Sequence, residues 1–231
     1  MSTERYTWLI TGADTGVGVE MVKLLLASRS NIVLVPVYGT APLEGLVKSA
    51  KGRLHLIPIH HDDEEVDPLL GAIHTVSSIV GDGGIDYLLN HAVVTEAGWD
   101  VPSNMDLNAL ECDYRINVVG PARAYQAYLP LIAKSTKKTV INVFSSQGIV
   151  GRHGRASCTT TSITKAALKV LTQKESAESR HSIVVLMTLG YLNTDPLSKT
   201  EVIVDMLDTI LDLTPEDTGK EFLFGSDAQS S

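Results

Sequence analysis

Three groups of residues have the types and spacing to do chemistry. The first is Thr11-Gly12-Ala13-Asp14-Thr15-Gly16-Val17-Gly18, with glycines at a turn and at the mouth of the next helix. Glycine permits a tight turn, and its missing side chain lets backbone N–H groups approach a pyrophosphate at a helix N-terminus. Close helix–strand packing asks for the same glycines. The position after an apolar strand and before an amphipathic helix favours nucleotide binding. The second group is Thr161 and Lys165, one helical turn apart and so on one face, a hydroxyl beside an ammonium. The third is Arg152-His153-Gly154-Arg155, a basic loop able to fork onto a carboxylate or phosphate, or simply to be solvated.

Two other clusters carry less. His60-His61-Asp62-Asp63 has metal-binding residue types, but neighbours on a strand point to opposite faces and do not converge, so a strand-end turn is expected and no metal site. Cys158 lies just before the segment carrying Thr161 and reads as a small buried residue rather than a nucleophile, because no histidine partner can be assigned to it.

The elements that must position these groups alternate in type. Short apolar runs predict buried strands at Tyr6–Ile10, Ile32–Val37, Leu54–Ile59, Tyr87–Leu89, Thr139–Phe144, Ile183–Thr188 and Glu221–Phe224. Helical spacing covers Val17–Ala27, Pro68–Val80, Leu107–Ala133, Thr161–Ser176 and Glu201–Leu211. In the first of these, Val17, Met21, Leu24 and Leu25 share the face expected to pack on a sheet. The alternation predicts an α/β doubly wound, Rossmann-type fold: a mostly parallel sheet of about seven strands with helices on both faces. It fits one domain over residues 1–231.

On these segments the chain resembles the short-chain dehydrogenase/reductase family, most closely its fungal and bacterial carbonyl-reductase-like branch. The Thr-Gly-x-x-x-Gly-x-Gly spacing at Thr11–Gly18 is the family's, and Asn90-His91-Ala92 is similar to its Asn-Asn-Ala-Gly segment. Asn117 in Arg115-Ile116-Asn117-Val118 matches the asparagine that holds a water in the family's proton relay. Ser146 matches its substrate-orienting serine, and Lys165 its catalytic lysine. Leu189–Thr194 resembles the Pro-Gly-x-x-x-Thr loop at the nicotinamide side of the cofactor. The resemblance therefore implies catalytic roles for Ser146, Lys165, Asn117 and Thr161. It implies NADP(H) or NAD(H) held by Gly12, Asp14, Thr15, Gly16, Val17, Gly18, Tyr38, Asn90, Lys165 and Thr194. Ser146, His153 and Tyr191 would line the substrate pocket.

The departures bear directly on chemistry. Thr161 stands where the family keeps its catalytic tyrosine, and the chain has no tyrosine between Tyr128 and Tyr191. A cation beside a phenol of pKa about 10 makes it useful near neutrality; a threonine hydroxyl is far less acidic and stops several bonds short. Tyr38 falls where NADP-preferring relatives carry an arginine, and no acidic residue closes that strand to grip ribose hydroxyls, so weak selectivity between NAD and NADP is expected. Val93 replaces the glycine of the Asn-Asn-Ala-Gly segment beside the cofactor ribose.

A ketone needs a proton for its nascent alkoxide; an iminium ion takes hydride and leaves as a neutral amine. The resemblance thus implies an atypical oxidoreductase of fungal secondary metabolism acting on an imine-like or carbonyl carbon of a polycyclic or heterocyclic small molecule. Two alternatives stay open: a non-redox cyclase, isomerase or lyase in the same pocket, and an inactive binding protein on the same fold.

Composition narrows the partners. A chain of 231 residues with a net charge of −8 offers no basic surface for nucleic acid or anionic membrane, and no apolar run is long enough to span a bilayer. Two distant cysteines imply neither a disulfide framework nor a zinc site, and the polar start leaves no room for a signal peptide, so a cytoplasmic protein is expected. Family members commonly associate through the two long helices, which implies a homodimer or homotetramer here, with Ala122, Ala124, Ala127, Ala166 and Ala167 small enough for close approach.

Overall fold

The computed structural model describes residues 5–14, 16–37, 42–59, 68–95, 100–145, 158–179, 181–190 and 196–225. Seven strands are present among them: β1 (Thr7–Thr11), β2 (Ile32–Val37), β3 (Leu54–Pro58), β4 (Tyr87–Asn90), β5 (Thr139–Ser145), β6 (Ile183–Leu189) and β7 (Glu221–Phe224). They form one parallel sheet in the order β3-β2-β1-β4-β5-β6-β7. The helices are α1 (Gly16–Ala27), α2 (Glu44–Ala50), α3 (Pro68–Val80), α4 (Leu107–Tyr114), α5 (Gly120–Ile132), α6 (Thr159–Glu178) and α7 (Pro196–Asp212). This is the Rossmann-type α/β fold the alternation predicts. Every residue of β2 and β6 is buried, as parallel strands covered on both faces require.

By internal contacts the chain groups into two compact units: Met1–His91 with Arg123–Ile141 and His181–Ile183, and Ala92–Ala122 with Asn142–Arg180 and Val184–Ser231. In the first, β1 lies between β2 and β4, with Thr11 in register with Asn90. Here the strand order reverses, the point at which open α/β sheets bind ligands beyond their strand ends. Trp8 stacks on Tyr87 with ring centroids 4.0 Å apart, and Tyr6 meets Tyr87 edge-on at 5.5 Å. Buried aromatic pairs of this geometry stabilise beyond the area they remove from water. Arg53 donates to the carbonyls of Leu26 and Ser28, satisfying backbone acceptors at the end of α1. In the second unit Phe144, Leu168 and Leu186 form an apolar cluster with Leu171 against it.

Three expectations are corrected. Of the four residues expected on the packed face of α1, Met21 and Leu25 are buried, but Val17 and Leu24 are only half-buried, and Gly18 and Val22 complete the buried face. A Cβ on Gly18 would lie 2.5 Å from the Ala13 Cα and 2.9 Å from the Gly12 carbonyl, so the helix must turn its bare position toward that turn. The helix read as continuous from Leu107 to Ala133 is broken by a π-helical turn over Arg115–Val119. Ala124 and Ala127 are buried within the chain's own first unit and are not free to meet another subunit.

Candidate active site

In the first unit, the candidate residues sit at the ends of β1 and β4. The chain leaves β1 through Gly12, whose φ of 64° favours glycine, and enters α1 at Gly16, with φ of 50° and open space where a side chain would project. Asp14 and Val17 are half-buried, and Asn90 is buried at the end of β4. The backbone N–H of His91 donates to Thr11 Oγ1 at 3.2 Å, and its Nδ1 lies 3.3 Å from the Gly12 carbonyl oxygen. Burial pushes the His91 imidazole below its ordinary pKa, against the opposing pull of the Gly12 hydrogen bond and the Asp14 charge.

In the second unit, the candidate residues are built on the π turn and α6. A π turn inserts one extra residue into a helix and often marks functional positions. At its centre Asn117, buried, accepts from the Val94 N–H at 2.9 Å through Oδ1 and donates to the Val94 carbonyl at 2.8 Å through Nδ2. The same Nδ2 reaches Thr164 Oγ1 at 3.5 Å, and Thr164 donates to the Thr161 carbonyl at 3.1 Å. Asn117 thus fixes the segment after β4 and touches the first turns of α6.

Two buried groups set the start of α6. Asp100 accepts from Thr160 Oγ1 at 2.7 Å and from the Thr160 backbone N–H at 3.1 Å, a helix cap supplied from 60 residues away. Cys158 is buried in the left-handed region with φ of 61°. The Thr161 residue is only 3% exposed. Lys165 is half-buried, its Nζ 5.9 Å from the Phe144 ring centroid. Further along, Lys169 pairs with Glu221 at 2.7 Å. Burial pushes the Glu221 carboxyl up, but the Lys169 hydrogen bond, the Lys169 and Lys165 charges and the Thr188 hydrogen bond outweigh it, and the carboxyl falls below its ordinary range.

Of the residues expected to act, Gly12, Asp14, Gly16, Val17, Gly18 and Asn90 fall in the first unit, and Asn117, Thr161 and Lys165 in the second. Thr15, Tyr38, Ser146, His153, Tyr191 and Thr194 lie outside the described residues, as do His60–Asp63 and Arg152–Arg155. Sequence reading missed His91, Asp100 and Thr164. His91 had a signal, since it departs from the Asn-Asn-Ala pattern; the partner of Asp100 is set by topology and had none. Among the described residues no group of three or more His, Cys, Asp or Glu is placed to hold a metal ion, and no helix is long and apolar enough to cross a membrane.

A glycine turn at the switch point of a parallel sheet, with a lysine on the helix after the fifth strand, defines a Rossmann-type α/β protein of the dehydrogenase kind. Residues 7–201 match the family model described as short chain dehydrogenase, and the chain belongs to that family. It is 26% identical to an uncharacterised oxidoreductase of Schizosaccharomyces pombe, covering 96% of this chain and 90% of the relative. It is 27% identical to the short-chain dehydrogenase/reductase atnB of an Arthrinium species, covering 92% and 86%. Among solved structures, an NADPH-bound carbonyl reductase from chicken fatty liver superposes with a TM-score of 0.79 at 22% identity, covering 96% of this chain and 93% of that one. The Drosophila melanogaster carbonyl reductase Sniffer gives 0.81 at 20% identity, over 95% and 97%. At these identities the likeness is one of fold.

Proposed function

We propose that this chain, working as one domain over residues 1–231, is an NADP(H)- or NAD(H)-dependent oxidoreductase of the carbonyl-reductase-like branch. Its substrate is an imine-like or carbonyl carbon in a polycyclic or heterocyclic intermediate of fungal secondary metabolism. The observation that carries the reading is Thr161: where a phenol would stand there is a short hydroxyl residue, 3% exposed, on the helix that carries Lys165. An iminium acceptor needs no proton from the protein, so a site without that acid suits it.

The residues fit a dinucleotide, since Gly16 leaves open space above a turn whose backbone precedes a helix of 12 residues. Gly12, Asp14, Thr15, Gly16, Val17 and Gly18 hold its pyrophosphate side, with Tyr38 toward the adenine. Asn90, Lys165 and Thr194 hold the nicotinamide half. When bound, the dinucleotide supplies the hydride. Ser146, His153 and Tyr191 orient the substrate. The NADPH bound by the chicken carbonyl reductase supports a nicotinamide cofactor. The fungal relatives support the fungal setting; the proposed location is the cytoplasm. Leu107 and Tyr114 on α4 and Ile163 and Val170 on α6 are large, apolar or aromatic and exposed, which supports a homodimer or homotetramer.

The test is nicotinamide absorbance with purified protein and matched panels of cyclic imines and ketones. Oxidation of NADPH or NADH by imines, with ketones far slower, is the expected result. Ketones turned over as fast as imines refute the imine preference. Substrate conversion without any absorbance change points to the cyclase, isomerase or lyase reading, and binding without conversion to an inactive binding protein.

A further inference from the structure

His91 lies at the switch point and makes two contacts with the glycine turn, one through its backbone and one through its ring. A carbonyl oxygen only accepts, so the ring nitrogen facing the Gly12 carbonyl carries the hydrogen, and the neutral imidazole is the Nδ1–H tautomer. The same carbonyl lies close to Gly18, where an added Cβ would come within 2.9 Å of it. The peptide group is planar and trans, so fixing the Gly12 carbonyl also fixes the opposite direction of the Ala13 N–H. From there the chain runs through Asp14 to Gly16, the position with open space.

We propose that His91 is a positioning residue for the dinucleotide: through the Nδ1–H bond to the Gly12 carbonyl it holds the glycine turn in the shape that accepts the pyrophosphate. The proposal rests on the dinucleotide reading given above. Its logic is pre-organisation. Gly12 has the freest backbone of any residue type, and a turn left to sample other shapes gives up affinity when it is ordered on binding. Thr11 supports the clamp by accepting the His91 backbone N–H, which ties the end of β1 to the end of β4. Asparagine at this position keeps a side-chain donor able to reach the same carbonyl. Phenylalanine fills similar space without one.

The experiment measures dissociation constants of NADPH and NADH by calorimetry for the wild type, His91→Phe and His91→Asn. The imidazole tautomer of the wild type, free of ligand, is read from its 15N shifts. The expected results are an Nδ1–H tautomer, binding about two- to tenfold weaker in His91→Phe, the worth of one neutral hydrogen bond, and recovery to near wild type in His91→Asn. A structural loss would not be rescued by the smaller amide. An Nε2–H tautomer overturns the proposal, as does wild-type affinity in His91→Phe or failure of His91→Asn to recover it. If the wild type binds neither dinucleotide, both this proposal and the dinucleotide reading fall. If the wild type binds and His91→Phe is unchanged, only the His91 role falls.

Discussion

Glu175 gives the sharpest test of the packing beneath the helix that carries Lys165. It is 3% exposed on α6, and Asn142 donates to its Oε2 at 2.9 Å while also donating to Thr172 Oγ1 at 2.9 Å. Burial raises its carboxyl from 4.5 to about 7, offset in part by the Asn142 hydrogen bond and aided by the Glu178 charge. Below the ordinary carboxylate range, folded and unfolded chains both hold the proton. Between the two values the unfolded chain releases it and the folded chain does not, so stability falls as pH rises; above about 7 the loss is complete. At about 1.4 kcal/mol per pH unit, the interval corresponds to about 3 kcal/mol. Glu175→Gln keeps an acceptor for Asn142 and removes the titration. Urea unfolding followed by circular dichroism between about pH 5 and about pH 8 should show the wild type losing about 3 kcal/mol relative to the variant, with the gap opening across that window. Other groups titrate equally in both proteins and cancel. Parallel pH profiles for the two would refute the reasoning.

The other variants address the candidate residues of each unit separately. Gly18→Ala places a methyl 2.5 Å from the Ala13 Cα, against backbone that cannot move aside; it should cost about 1–3 kcal/mol in urea unfolding and weaken NADPH binding in calorimetry. Asn117→Ala removes both bonds to the Val94 backbone and should cost about 1–3 kcal/mol by the same unfolding assay; no change would mean that segment is held by other contacts. Thr161→Tyr forces a ring into a buried position and should destabilise by about 1–3 kcal/mol without creating a ketone reductase; a gain of about 10²–10⁴ in ketone turnover would overturn the imine reading.

The sheet was legible because its signal is local. Ile32–Val37 and Glu221–Phe224 coincide with β2 and β7, since short β-branched or aromatic runs between turn residues carry their own boundaries. The helix α2 was missed because its seven residues, with Gly45 among them, span too few turns to show a periodic face. The π turn was missed for the opposite reason: the long apolar pattern from Leu107 onward averages over one inserted residue. The glycine turn and the Thr161–Lys165 spacing were visible as candidates, because each is set within one stretch of chain. What holds them was not. Asp100 meets Thr160, Asn142 meets Glu175 and His91 meets Gly12 across 60, 33 and 79 residues. Pairings at that separation follow from strand order, which no local pattern encodes.

The start of α6 spends its polar side chains on holding itself in place. Thr160 gives its hydroxyl to Asp100, Thr164 gives its own to the Thr161 carbonyl, and the Asn117 amide is taken up by both backbone groups of Val94. An amide bonded at both ends to one residue's backbone ties the segment after β4 to the π turn. Thr161 is buried, so a larger group there would have to displace its neighbours. Lys165 is the charged group this arrangement leaves half-buried on the first turns of α6, one turn beyond Thr161. An ammonium group can hold a ribose hydroxyl or a phosphate by charge-assisted hydrogen bonds. These contacts hold the segment after β4 and the start of α6 in place beside Lys165, and the proposed hydride delivery to an already cationic carbon draws on such positioning.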